Sequence, residues 1–119
     1  MINYLNEADI AVTVCDKDGI IIEMNEQSKK VNQKPGQSLI GSNVLDCHPE
    51  PARSMLREMM KKQTKNAYTI EKNGMKKLIY QIPWYEEGEY MGFVELSMII
   101  PFEMPHKIRR PKNRIDIVG

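Results

Sequence analysis

The sequence is poor in the groups that most catalytic and metal sites use. Its 119 residues hold two cysteines, two histidines and one tryptophan. It has no glycine-rich phosphate loop, no HExxH pair and no serine in a nucleophile elbow, and no acid pair stands out, so the common enzyme signatures are missing. Long apolar runs are also absent. The stretches around Ile20–Ile22 and Met98–Ile100 fall far short of the roughly 20 residues that cross a bilayer. The opening "MINYLNEADI" lacks a basic region followed by an apolar run, so no signal peptide and a cytoplasmic location are expected. In that compartment Cys15 and Cys47 are expected as free thiols.

Hydrophobic residues make up 41% and charged residues 28%, the balance of a soluble globular chain of one domain. The net charge of +1 is unevenly spread. Residues 106–119 hold five basic groups and one acid, leaving 12 basic and 15 acidic groups in the rest. That mildly acidic body is a poor nucleic-acid surface, and any attraction to phosphate belongs to the tail. Short basic tails are more often solvated, although "IDIV" could also add a strand to a partner's sheet.

"DIAVTVCDKDGIIIEMN" predicts a β-hairpin: Ile10–Cys15 and Ile20–Met24 as strands, joined by Asp16-Lys17-Asp18-Gly19. Asn25 suits the cap of a short helix running to about Lys30, and Pro35-Gly36 then breaks the chain. "SLIGSNVLD" predicts a helical turn ending at Gly41, with Leu39, Ile40, Val44 and Leu45 entering a core. From Pro49 the spacing of Ala52, Met55, Leu56, Met59 and Met60 predicts a longer amphipathic helix. Pro49 and Glu50 suit its first turn. Three strands should follow, turning at Asn73-Gly74 and at "EEGE". In the middle strand Leu78, Tyr80, Ile82 and Trp84 share one face and Lys77, Ile79, Gln81 and Pro83 the other, with Pro83 marking a bulge or an edge. This order is α+β: a five-stranded antiparallel sheet with short helices and one longer helix on one face. Residues 1–100 are expected to form the single domain and 101–119 a proline-containing basic tail.

The order, with these residues, resembles a PAS domain. "VCDKDGIIIEMNEQ" resembles the PAS opening, "LIGSNVLDCHP" is similar to the family's approach to its long helix, and "GEYMGFVELS" resembles its last strand. The likeness covers about residues 5 to 100, and "CHP" resembles a subgroup of bacterial PAS modules. It implies a sensory or protein-interaction module in signal transduction, not an enzyme. A small apolar ligand is expected between the long helix and the sheet, in a methionine-rich pocket of Met24, Leu45, Met55, Leu56, Met59, Met60, Tyr80, Ile82, Phe93 and Glu95. No cofactor is required, and haem or flavin is compatible with the family. In oxygen-sensing members the axial histidine lies inside the long helix, where this chain has none. Pro101 and Pro105 forbid a helical continuation after the last strand. Signalling is therefore expected through a homodimer, formed by the sheet's outer face or Ile2 and Leu5, or through a separate signalling protein. Membrane and nucleic acid are not expected partners.

Plainer readings stand beside each of these. Nine methionines hint at a plastic pocket, but plain core packing at helical and strand spacing explains them better. Glu95, between Val94 and Leu96, either faces inward to a ligand or buried partner, or is an ordinary surface charge. Cys47-His48 offers an alternative of another class, a thiol- or haem-dependent redox sensor. A helix N-terminus just after the pair would favour the Cys47 thiolate and keep His48 neutral and able to ligate. Adjacent side chains diverge, which argues against a shared metal, and no metal site is expected. The bland reading makes the pair a helix entrance, with Cys47 packed as a small apolar residue.

Overall fold

A computed structural model describes residues 3–111. The order is α1 (Asn3–Asn6), β1 (Ala11–Asp16), β2 (Ile21–Met24), α2 (Glu26–Asn32), a 3-10 turn (Val44–Cys47), α3 (Ala52–Lys62), β3 (Asn66–Lys72), β4 (Met75–Glu86) and β5 (Glu89–Ile100). The strands form one antiparallel sheet in the order β2-β1-β5-β4-β3. The expected α+β architecture is what the chain adopts.

Local chemistry accounts for the elements. Asp16 Oδ1 accepts from the amides of Asp18 and Ile20, closing the first hairpin. Asn25 is fully buried and ties three segments together: its Oδ1 accepts from Val12 N and, as the α2 cap, from Ser28 N, while its Nδ2 donates to the carbonyls of Leu5 and Ile10. Asn73 and Gly74 both have positive φ, as a two-residue hairpin turn requires.

Two boundaries differ from expectation. The helical turn near Gly41 lies after it, at Val44–Cys47, because Asn43 caps it by accepting from Leu45 N. The long helix starts at Ala52, not Pro49. Glu50 still serves its N-terminus from outside, accepting from the Ser54 amide at 2.8 Å and from the Ser54 hydroxyl.

Register assigns the faces of the sheet. The helix-covered inner face carries Ala11, Thr13 and Cys15 of β1, Phe93, Glu95 and Ser97 of β5, and Ile79, Gln81 and Pro83 of β4. Leu56 and Met59 of α3 pack there with Cys15, Ile21, Met24, Val44 and Phe93 to form the core. Leu78, Tyr80, Ile82 and Trp84 share the outer face with Val94, Leu96 and Met98, and all seven are half-buried. Pro83 is answered on both counts: the β4–β5 register shifts between Trp84 and Tyr85, and β3 pairs no further along β4 than Gln81. Gly92 is required beside this shift. A Cβ there would lie 2.0 Å from the Cys15 carbonyl oxygen, which accepts from the Trp84 indole at 3.0 Å. After Ile100 the chain runs exposed and without helix or strand to Pro111. Ile2, the rest of the basic tail and "IDIV" lie outside the described residues.

Candidate functional site

A chain of polar side chains crosses the inner face and ends on the turn before α3. Asn66 Nδ2 donates to Gln81 Oε1 at 3.2 Å, and Gln81 Nε2 donates to Glu95 Oε1 at 3.1 Å. His48 Nε2 stands 3.7 Å from the same carboxylate oxygen, an ion-pair distance rather than a hydrogen bond. Its Nδ1 lies 2.9 Å from the Val44 carbonyl oxygen and donates to it when protonated there. Glu95 therefore faces inward, and this contact joins the sheet to the end of the 3-10 turn, beside the packing of Val44 in the core with Cys15, Ile21 and Phe93.

The electrostatics at Cys47-His48 are opposite to the expectation. The pair stands at the C-terminal end of the Val44–Cys47 turn, where carbonyls point, and α3 begins four residues after His48. Negative potential there favours imidazolium and disfavours thiolate. The His48 pKa is accordingly raised, by Glu95 first and then by the Val44 carbonyl, against the opposing effects of burial and Arg53. The Cys47 thiol is also raised, by burial and then by the charges of Asp46 and Glu95. It is exposed, with Sγ 3.9 Å from the Asn43 carbonyl oxygen. The conditions imagined for a reactive thiolate and a neutral, ligating His48 are thus reversed. Nδ1 of His48 is turned to the Val44 carbonyl and Nε2 faces the Glu95 carboxylate, so a haem iron at Nε2 would have to displace Glu95. Among the described residues no three His, Cys, Asp or Glu side chains gather as a metal site. Cys15, also a free thiol, is completely buried, and burial pushes its pKa far up.

A cavity of about 710 Å3 opens beside this polar chain. It lies between the inner sheet face, α2, the loop that follows α2, and the 3-10 turn. Of the residues expected to line a pocket, Met24 and Glu95 do so, and Cys47 and His48 join them. Leu56, Met59 and Phe93 belong instead to the solid core, with Leu45 and Met60 packed against it. Met55 is 49% exposed, because it falls on the solvent side of α3. Tyr80 and Ile82 are on the outer face, since β4 pairs so that Gln81, not its neighbours, stands opposite inward-facing Glu95. The open space is thus displaced from α3 towards α2.

The sequence reading missed Gln81 and Asn66, and the lysines of the cavity, Lys34, Lys72 and Lys77. One signal was available for Gln81. It interrupts an apolar stretch as Glu95 does in the next strand, and two such breaks in a hairpin can face each other. Counting back from the Glu87-Gly88 turn would pair Gln81 with Val94, however, and the one-residue register shift makes it Glu95.

The sequence profile of the PAS fold matches residues 5–72. Among curated protein sequences none matches. Solved structures with the same fold include the PAS domain of BvgS from Bordetella pertussis, with a TM-score of 0.64 at 15% identity, covering 82% of each chain. A sensory box sensor histidine kinase from Vibrio cholerae gives 0.62 at 18% identity, over 84% of this chain and 88% of that one. A PAS domain from Colwellia psychrerythraea gives 0.57 at 22% identity, over 80% and 89%. With the profile spanning more than half of its length and this strand order beneath it, the chain belongs to the PAS family.

Proposed function

We propose that the protein is a sensory module that binds a small ligand in the cavity beside α2 and passes the event on by association, without catalysis. The observation that carries this is the cavity itself, about 710 Å3 against the inner face of the sheet, with His48 and Glu95 in its wall. A polar group on the ligand can compete for Glu95 or His48. Either exchange alters the polar contact between Glu95 of β5 and His48, at the end of the turn that precedes α3. A ligand that prefers one state of that contact shifts the population towards it. PAS homologues serve as sensor modules in signalling proteins, which supports this reading. Among the described residues no helix is long and apolar enough to cross a membrane. The cytoplasm remains the proposed location.

The test is a fragment screen by amide NMR on the full chain. Binding should move the amides of Ala11, Met24, His48 and Ser97 together. Fragments that move only outer-face amides would defeat the reading.

A second reading concerns output. The half-buried apolar outer face of Tyr80, Ile82, Val94 and Leu96 favours pairing with a second copy of this chain, because a twofold axis lets one apolar patch cover itself. Docking to a separate signalling protein is the alternative. Light scattering on a size-exclusion column decides between them. A dimer that Tyr80→Lys converts to monomer supports self-association, and a monomer at high concentration excludes it.

A further inference from the structure

The cavity has buried apolar walls, broken by Thr13, Glu95 and Ser97 of the sheet, and three lysines in its lining. Ala11, Ile21, Met24, Val44 and Ile79 wall it and are all buried. Lys34, Lys72 and Lys77 line it as well, each from a different segment: the loop after α2, β3 and β4. Lys77 stands opposite Ile70, two residues from Lys72, so these two lysines are diagonal neighbours on the inner face. None of the three has a carboxylate within ion-pair distance among the described residues. The acids that also line the cavity do not answer them. Glu95 is held by His48 and Gln81, and Asp46 is exposed on the 3-10 turn.

Three cations without a carboxylate partner around one cavity repel one another, and its buried apolar walls favour an apolar occupant over water. We infer that the cavity takes a small amphipathic anion, an apolar body carrying a carboxylate or a phosphate that lies among Lys34, Lys72 and Lys77. This rests on the proposed role of the cavity as a ligand site and names the class of ligand. The apolar part lies along Met24, Val44 and Ile79, and the charge stays at the rim, where it remains partly hydrated. An anion held there also adds negative potential near His48, so binding and His48 protonation favour each other.

The experiment titrates the full chain with octanoate, octyl phosphate and octanol at low salt, reading amide shifts. Both anions should bind about tenfold tighter than octanol, moving the amides of Ala11, Met24 and Ser97. The tighter of the two identifies carboxylate or phosphate as the preferred head. Lys72→Gln combined with Lys77→Gln should weaken the anions about fivefold and leave octanol unchanged, and about 0.5 M salt should shrink the preference. If octanol matches the anions at the same amides, the anion inference fails while the ligand site survives. If no compound moves the cavity amides, both fail.

Discussion

At the α3 end of the inner sheet face, Leu56, Met59, Phe93 and Cys15 are almost completely buried and touch one another. At the α2 end, Met24, Val44 and Ile79 wall a cavity of about 710 Å3. The same sheet supplies both floors, so the difference lies in what covers them. An eleven-residue helix sets Leu56 and Met59 one turn apart on one face, and such a face fills a floor closely. The loop from Gln33 to Asn43 is held by hydrogen bonds instead: Gln33 Oε1 accepts from Leu39 N, Gln37 Oε1 accepts from Lys34 N, and Gly41 and Ser42 bond the Ile21 backbone. It presents only Leu39 to the core. A rigid end beside a hollow end suits a sensor, because a ligand can enter without dismantling the core.

Substitutions at the solid end should cost most. Gly92→Ala forces a Cβ onto the Cys15 carbonyl at a φ of 142° and should abolish stable folding, read as loss of a cooperative thermal transition. Leu56→Ala should cost about 2–5 kcal/mol by urea denaturation. Met24→Ala, at the border of the hollow, should cost about 1–2 kcal/mol less than that, since one wall already faces open space. Equal losses at the two positions would erase the distinction between the ends.

The His48–Glu95 contact gives a smaller effect with a defined sign. The folded-state pKa of His48 lies above its unfolded value. Its contribution is therefore complete below the unfolded pKa of about 6.5 and fades as pH rises through the folded value. Stability should fall by about 1 kcal/mol or less across that window, and Glu95→Gln should flatten the profile. A profile unchanged by that substitution would remove the contact as a working link. The smallest effect is expected at Met55→Ala, within about 0.5 kcal/mol, because the side chain faces solvent.

Much of the frame was legible because it is local. The Asp16–Gly19 and Asn73-Gly74 turns, the Asn25 cap and the Ala52–Lys62 periodicity each depend on a few adjacent residues. The alternation of β4 was also legible, but which side faced the helices was not. Tyr80 and Ile82 belong to the more apolar side and read as pocket, yet this sheet leaves an apolar face uncovered and turns Gln81 inward. Cys47-His48 misled for a related reason. A dipole argument depends on which end of which helix is near, and the pair ends one turn well before it precedes the next.

By itself, then, the sequence determined an antiparallel α+β domain of the PAS kind, through turn chemistry, capping and periodicity that act over a few residues. The tertiary structure alone decided where the open space lies, that Glu95 meets His48, and that three lysines from separate segments line one cavity. These outcomes follow from a register shift beside Pro83 and from how a loop held by hydrogen bonds covers the sheet. Both are long-range matters of pairing and packing, which spacing along the chain does not encode.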